Sequence, residues 1–162
     1  MNTGAQANVC AGVSNGKIVL WKYLDKRWNA QKAAEPYEGP LINALGKARG
    51  KKRKYCVVED NDPVGYKSNK AKAVKAALEI TTIPMPTYSP DLNPLDFSLW
   101  NAIEARMVEN APEHVETVAA YKKRMRLTAL RFSSEHVRKT VRAISKRMKA
   151  VVKAKGHNIK KD

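Results

Sequence analysis

Acidic residues are scarce in this chain: 15 Asp and Glu stand against 31 Lys and Arg, a formal charge of +16 over 162 residues. An excess of one sign on that scale makes a polyanion the natural partner. Cysteine is scarcer still. Cys10 and Cys56 both fall in strand-like runs without metal-ligand spacing, which argues against a disulfide framework or a zinc site and reads as two buried thiols in a reducing compartment. His114, His136 and His157 are scattered without partners at ligand spacing and read as surface residues. No apolar run approaches the length of a membrane span, and residues 1–7 lack the charged start and apolar stretch of a secretory signal, so a soluble, intracellular protein with no membrane partner is expected. With 43% hydrophobic residues the chain can bury one core, and one compact domain is expected.

Two stretches carry most of the information. In the first, prolines at 86, 90 and 94 forbid regular structure before Pro94, and Asn93-Pro94 is a helix opening with Asn as cap and Pro at the first helical position. Asp96 then falls in the first turn, where the positive end of the helix dipole favours an ionised carboxylate. In the second, Tyr55-Cys56-Val57-Val58 is a β-prone run that stops at Glu59-Asp60-Asn61-Asp62-Pro63. A strand in an α/β sheet delivers ligands at its carboxyl end, so Asp60 stands where such folds do chemistry. Between the two, residues 68–79 read as a helix capped by Ser68 with Ala71, Val74 and Leu78 on one stripe, and residues 80–85 as a strand. Asp62 and Asp91, beside prolines, read as turn and cap residues.

Residues 12–16, Gly-Val-Ser-Asn-Gly, spell a hydrolase nucleophile elbow, but that motif must lead into a helix, whereas residues 17–24 are β-branched and aromatic. Asn15-Gly16 is therefore a hairpin turn. Trp21, Trp28 and Trp100 read as core anchors, and Trp100, one turn beyond Asp96, can pin that helix to the sheet.

The positive charge is concentrated at the end of the chain, where residues 121–162 hold fifteen Lys and Arg against Glu135 and Asp162. From Ser134 onward Val137, Val141, Ile144, Met148 and Val151 recur at steps of three and four, while Arg138, Arg142, Lys146, Lys149 and Lys153 cover the other faces. This predicts an amphipathic helix with a basic outer surface, suited to phosphate contacts or left as a solvated face. A second cluster, Lys47, Arg49, Lys51, Lys52, Arg53 and Lys54, follows a helix expected around residues 41–45. It reads equally as a phosphate contact, a nuclear import signal or a solubilising loop.

The run Ser89-Pro90-Asp91-Leu92-Asn93-Pro94-Leu95-Asp96 with Trp100, together with Asp60-Asn61-Asp62-Pro63, resembles the signature of mariner-type transposases and related DDE superfamily endonucleases. Residues 9–24 are similar to that family's early hairpin and residues 147–156 to its closing helix. The resemblance implies an α/β, ribonuclease-H-like fold, a mixed sheet flanked by helices, with three acids holding two divalent cations, Mg2+ or Mn2+, at a scissile phosphate. Asp60 and Asp96 match the second and third acids. The first belongs on a strand that has no counterpart before Asp60, so the expectation is a domain truncated at its amino end, with residues 1–110 as the endonuclease core and 111–162 as its basic helical part. Asp25 is a poor substitute, since the family has a turn there, and Gly65 stands where the family has His. A missing first strand would leave an open sheet edge, to be covered by another segment, a second copy or a larger assembly. The implied function is metal-dependent DNA cleavage and strand transfer in the nucleus. The alternative is a non-catalytic, basic nucleic-acid-binding or structural protein recruited from a transposase. Binding would be largely blind to sequence, because the helix-turn-helix region that reads transposon ends is not found.

Overall fold

The computed structural model describes residues 7–24, 28–43, 55–157 and 159. Asp25 and the cluster 47–54, with Lys51, Lys52, Arg53 and Lys54, lie outside the described residues. The chain opens with an antiparallel hairpin, β1 (Val9–Ser14) and β2 (Lys17–Tyr23). Its turn places Asn15 at φ 51° and Gly16 at φ 75°, the left-handed pair that matches the twist of the flanking strands. A Cβ on Gly16 would lie 2.8 Å from the Ser134 carbonyl, so the position needs glycine for space as well as for φ.

Helix α1 (Ala30–Glu38) begins where Asn29 Oδ1 accepts from Lys32 N and carries Pro36 inside it. Residues 40–43 are also helical. Strand β3 (Tyr55–Val58) pairs in parallel with β4 (Ile80–Ile83), and the crossover between them is α2 (Asn69–Ala77), capped by Ser68 Oγ on Ala71 N. Strand β4 ends earlier than the apolar run through Met85 suggested. The proline loop follows, with a 3-10 turn at Pro90–Leu92, and a helix opens at Pro94. Asn93 Oδ1 accepts from Leu95 N at 3.1 Å, as the cap reading requires. The first part of that helix, Leu95–Leu99, is a π turn, closed by Trp100 N donating to Leu95 O, and it continues as α3 (Trp100–Glu109). Helices α4 (Val118–Leu130) and α5 (Ser134–Lys153) follow, capped by Thr117 and Ser133.

The expected α/β architecture is present, with one antiparallel and one parallel ladder among the described residues. Two apolar clusters hold it. Cys10, Leu20, Tyr37, Leu41 and Ile80 join the hairpin to the parallel pair and to α1, with Tyr66 and Val74 packed against them. Ile18, Ile103, Met107, Ala129, Phe132 and Val137 join the hairpin to α3, α4 and α5. Trp21 and Trp100 meet edge to face at 5.8 Å in the second cluster, while Trp28 packs on Tyr66 at 5.2 Å beside the first. All three tryptophans are anchors.

Three sequence-based expectations need correction. Cys10 is buried but Cys56 is exposed, because its strand turns that side outward: Val58 is 53% exposed and Ile83, its partner in β4, 47%. His136 is half-buried against the Phe132 ring at 4.9 Å, with Nε2 enclosed and unpartnered among the described residues, unlike the exposed His114 and His157. The stripe on α5 is also out of phase. Val137 is buried, but Val141 and Met148 are 37% and 54% exposed, and the buried positions between and beyond them are Thr140 and Arg147. The Arg147 guanidinium sits over the Phe97 ring at 4.5 Å and its Nε donates to Asp91 O at 2.6 Å. An arginine thus takes a core position that periodicity assigns to an apolar residue.

Candidate active site and basic surface

Strand β3 runs directly into Glu59 and Asp60. Glu59 is almost fully covered, its side chain 8% exposed. The Tyr37 hydroxyl donates to its Oε2 and the Lys75 ammonium to its Oε1. Lys75 also donates to Tyr66 O at 3.1 Å and lies over the Tyr37 ring at 5.5 Å. The Tyr66 hydroxyl lies 3.4 Å from Cys10 Sγ. Burial pushes the phenols of Tyr37 and Tyr66 far up, helped by Glu59 for the first and Cys10 for the second, and burial raises the Cys10 thiol. A charge pair placed this deep contributes little net stability, but removing one member is costly because it strands the other. Its geometric effect is to fix α1, α2 and the end of β3 to one another.

Asp60 follows. Its carboxyl is raised from the ordinary value by burial, with Asp62 adding repulsion through space and the Asp62 amide pulling the other way by donating to Oδ1 at 3.4 Å. Asp62 is committed elsewhere. Its Oδ1 accepts from Val64 N at 3.2 Å, the turn role expected of it, and its Oδ2 accepts from the Trp28 indole. That indole covers Gly65, where a Cβ would lie 2.6 Å from Trp28 Cε2. The space beside Gly65 is closed by tryptophan.

Asn61 Nδ2 donates to Met85 O, tying the segment after β3 to the segment after β4. The chain leaves both strands in the same direction, since they are parallel, and reaches Asp96 through the proline loop. Asp96 is half-buried, with its amide donating to Asn93 O at 3.0 Å. Asp91 is not merely a turn residue: it is 8% exposed, and its Oδ2 accepts from Ile159 N at 3.4 Å. Ser98 Oγ meets Thr140 Oγ1 at 3.3 Å. Together with Arg147 these contacts fix the opening of the Asp96 helix against α5.

Among the described residues no group of three or more His, Cys, Asp or Glu is close enough to hold a metal ion. Two aspartates are nevertheless the donor chemistry of Mg2+, which is commonly held by one or two carboxylates with substrate phosphates and water completing its shell. On α5, Arg138, Arg142, Lys146, Lys149 and Lys153 are all exposed, while Arg147 turns inward. No helix among the described residues is long and apolar enough to cross a membrane.

The sequence did not reveal the network around Glu59, Tyr37 and Lys75. One signal was available, since Lys75 lies four residues after Ala71 on the face that α2 buries. The π turn left no trace that a 3.6-residue period could detect.

The architecture is a ribonuclease-H-like fold. It superposes on the catalytic domain of Mos1 mariner transposase with a TM-score of 0.83 and 18% identity, over 95% of this chain and 76% of that one. The same domain with raltegravir and Mg gives a TM-score of 0.82 and 17% identity, over 95% of this chain and 77% of the other. The Mos1 strand transfer complex gives a TM-score of 0.78 and 19% identity, over 99% of this chain and 46% of that chain. No protein-family model and no curated protein matches the sequence. At these identities the likeness establishes the fold.

Proposed function

We propose that this chain is a transposase-derived, DNA-processing domain in which Asp60 and Asp96 are the acids that hold a divalent cation. The observation that carries the reading is the placement of both acids: one directly beyond β3, the other on a π turn that opens a helix, a local distortion that recurs at functional sites. The bound cation would polarise a phosphodiester and activate water or a hydroxyl. The residues of the chain itself do the positioning. Glu59, held by Tyr37 and Lys75, fixes the strand end that carries Asp60, and Arg147 fixes the turn that precedes Asp96. The exposed cations of α5 bind backbone phosphates without reading bases.

Titration of Mg2+ followed by tryptophan fluorescence or NMR tests the site directly. Saturable binding that is lost in both Asp60→Asn and Asp96→Asn supports it; binding unchanged in either variant removes that residue from the site. For DNA, reversal of Arg142, Lys146 and Lys149 to Glu should flatten the salt dependence by about 0.9 in log–log slope per contact. A second reading, a non-catalytic nucleic-acid-binding protein, is favoured by the absence of a third metal-holding side chain among the described residues. It predicts DNA binding with no Mg2+-dependent nicking of supercoiled plasmid, and nicking abolished by Asp96→Asn would refute it.

A further inference from the structure

A cleft of about 660 Å³ lies between α3 and α4, and none of its lining residues belongs to β3, the proline loop or α5. Its charged lining is four cations, Arg106, Lys123, Arg124 and Arg131, and two carboxylates, Glu109 and Glu116. These charges have unequal roles. Arg124 is spent on the fold: Nη1 donates to Met107 O at 2.8 Å and Asn110 O at 3.3 Å, closing the end of α3, while Nε and Nη2 hold Glu116. That leaves Arg106, Lys123 and Arg131 against Glu109, and among the described residues none of these three cations has an ion-pair partner. Arg106 is held in place, with its guanidinium 4.0 Å from the centroid of the buried Phe132 ring and the His136 ring tilted at 36° against the same ring. A guanidinium positioned by an aromatic ring, with no described hydrogen-bond acceptor, loses less entropy when it meets an oxyanion than a free side chain does.

We propose that this cleft binds the phosphate backbone of a nucleic-acid strand, as a second contact separate from the basic face of α5. Three cations spread along the lining of an open trough suit successive phosphates of an extended strand better than one compact anion. Glu109 sets a cost that keeps the contact weak until the strand is held elsewhere. The proposal rests on the DNA-binding reading above, and the test separates the two.

The full chain is titrated with fluorescein-labelled duplex DNA at several salt concentrations, as wild type, as Lys123→Gln/Arg131→Gln and as Glu109→Gln. Lys123, Arg131 and Glu109 are exposed, so the variants should melt like wild type. In the double variant two lost contacts should lower the log–log salt slope by about 1.8 and weaken binding by tens-fold near 0.1 M salt, at roughly 0.9 per phosphate. Glu109→Gln should tighten binding. Wild-type affinity and slope in the double variant would overturn the cleft while leaving DNA binding by α5 intact. A wild-type chain that does not bind DNA would remove both. An equal loss of binding to poly-glutamate of similar charge would overturn the assignment to phosphate.

Discussion

Replacing Arg147 tests how the last helix is held to the rest of the protein. Arg147 is 5% exposed, and its guanidinium makes a ring contact with Phe97 and donates from Nε to Asp91 O. A desolvated cation–aromatic contact is worth on the order of 2 kcal/mol, and a hydrogen bond from a charged donor about 1.5–3 kcal/mol. Arg147→Met keeps most of the aliphatic stem and should cost about 2–4 kcal/mol after partial relaxation. Arg147→Ala also removes buried stem and should cost roughly 1–2 kcal/mol more. Lys146→Ala and Lys149→Ala, its exposed neighbours, should stay within about 0.5 kcal/mol of wild type. Urea unfolding followed by circular dichroism measures all four. Hydrogen exchange should in addition show residues 89–97 opening more readily in the Arg147 variants, because that turn loses its anchor on α5. If Arg147→Ala costs no more than Lys146→Ala, the buried arginine is not what joins the proline loop to α5.

On the same helix, Val137→Ala should cost about 1–3 kcal/mol, whereas Met148→Ala, at 54% exposure, should cost well under 1 kcal/mol; denaturant midpoints with unchanged slopes decide it. Gly65→Ala would drive a methyl group into the Trp28 indole and disturb its bond to Asp62, at a cost of about 2–5 kcal/mol, visible as a lower melting temperature and altered tryptophan fluorescence. Glu116 is held below its ordinary value of 4.5 by the hydrogen bonds from Arg124. Its folded form therefore binds protons less readily than its unfolded form, so the contribution is present above pH 4.5 and is lost as pH falls through the lowered value. The stability gap between wild type and Glu116→Gln should accordingly be full at neutral pH and close in acid; a gap that persists at pH 2 would show that the charge is not its source.

Local chemistry made several elements legible from sequence alone. Asn15-Gly16 determines its hairpin, Ser68 caps α2, and Asn93-Pro94 opens the helix of Asp96, because each acts through its own backbone and neighbours. The placement of Asp60 after a strand and Asp96 in a first helical turn was legible for the same reason. What sequence did not supply depends on partners distant in the chain. Thr140 and Arg147 face inward only because Ser98, Phe97 and Asp91 are there to meet them, so a count of apolar spacing assigns Val141 and Met148 instead. Lys75 is buried because Glu59 and Tyr37 await it, and Cys56 is exposed because the parallel pair leaves that side open. Helix α1 was hidden by Pro36, which its pattern carries in the interior.

The π turn at Leu95–Leu99 acts as a phase setter within a single rod. Asp96 stands within it; beyond it Ile103 and Met107 must point into the core. In an unbroken α-helix the angle between those two demands would be set by 3.6 residues per turn alone, whereas one residue more or less turns everything beyond it by about 100°. The wide turn lets the carboxylate and the apolar stripe be oriented separately. A deletion of one residue here would keep Asp96 and still rotate it away from its present bearing relative to Ile103 and Met107, so at this point the length of the chain carries as much information as its letters.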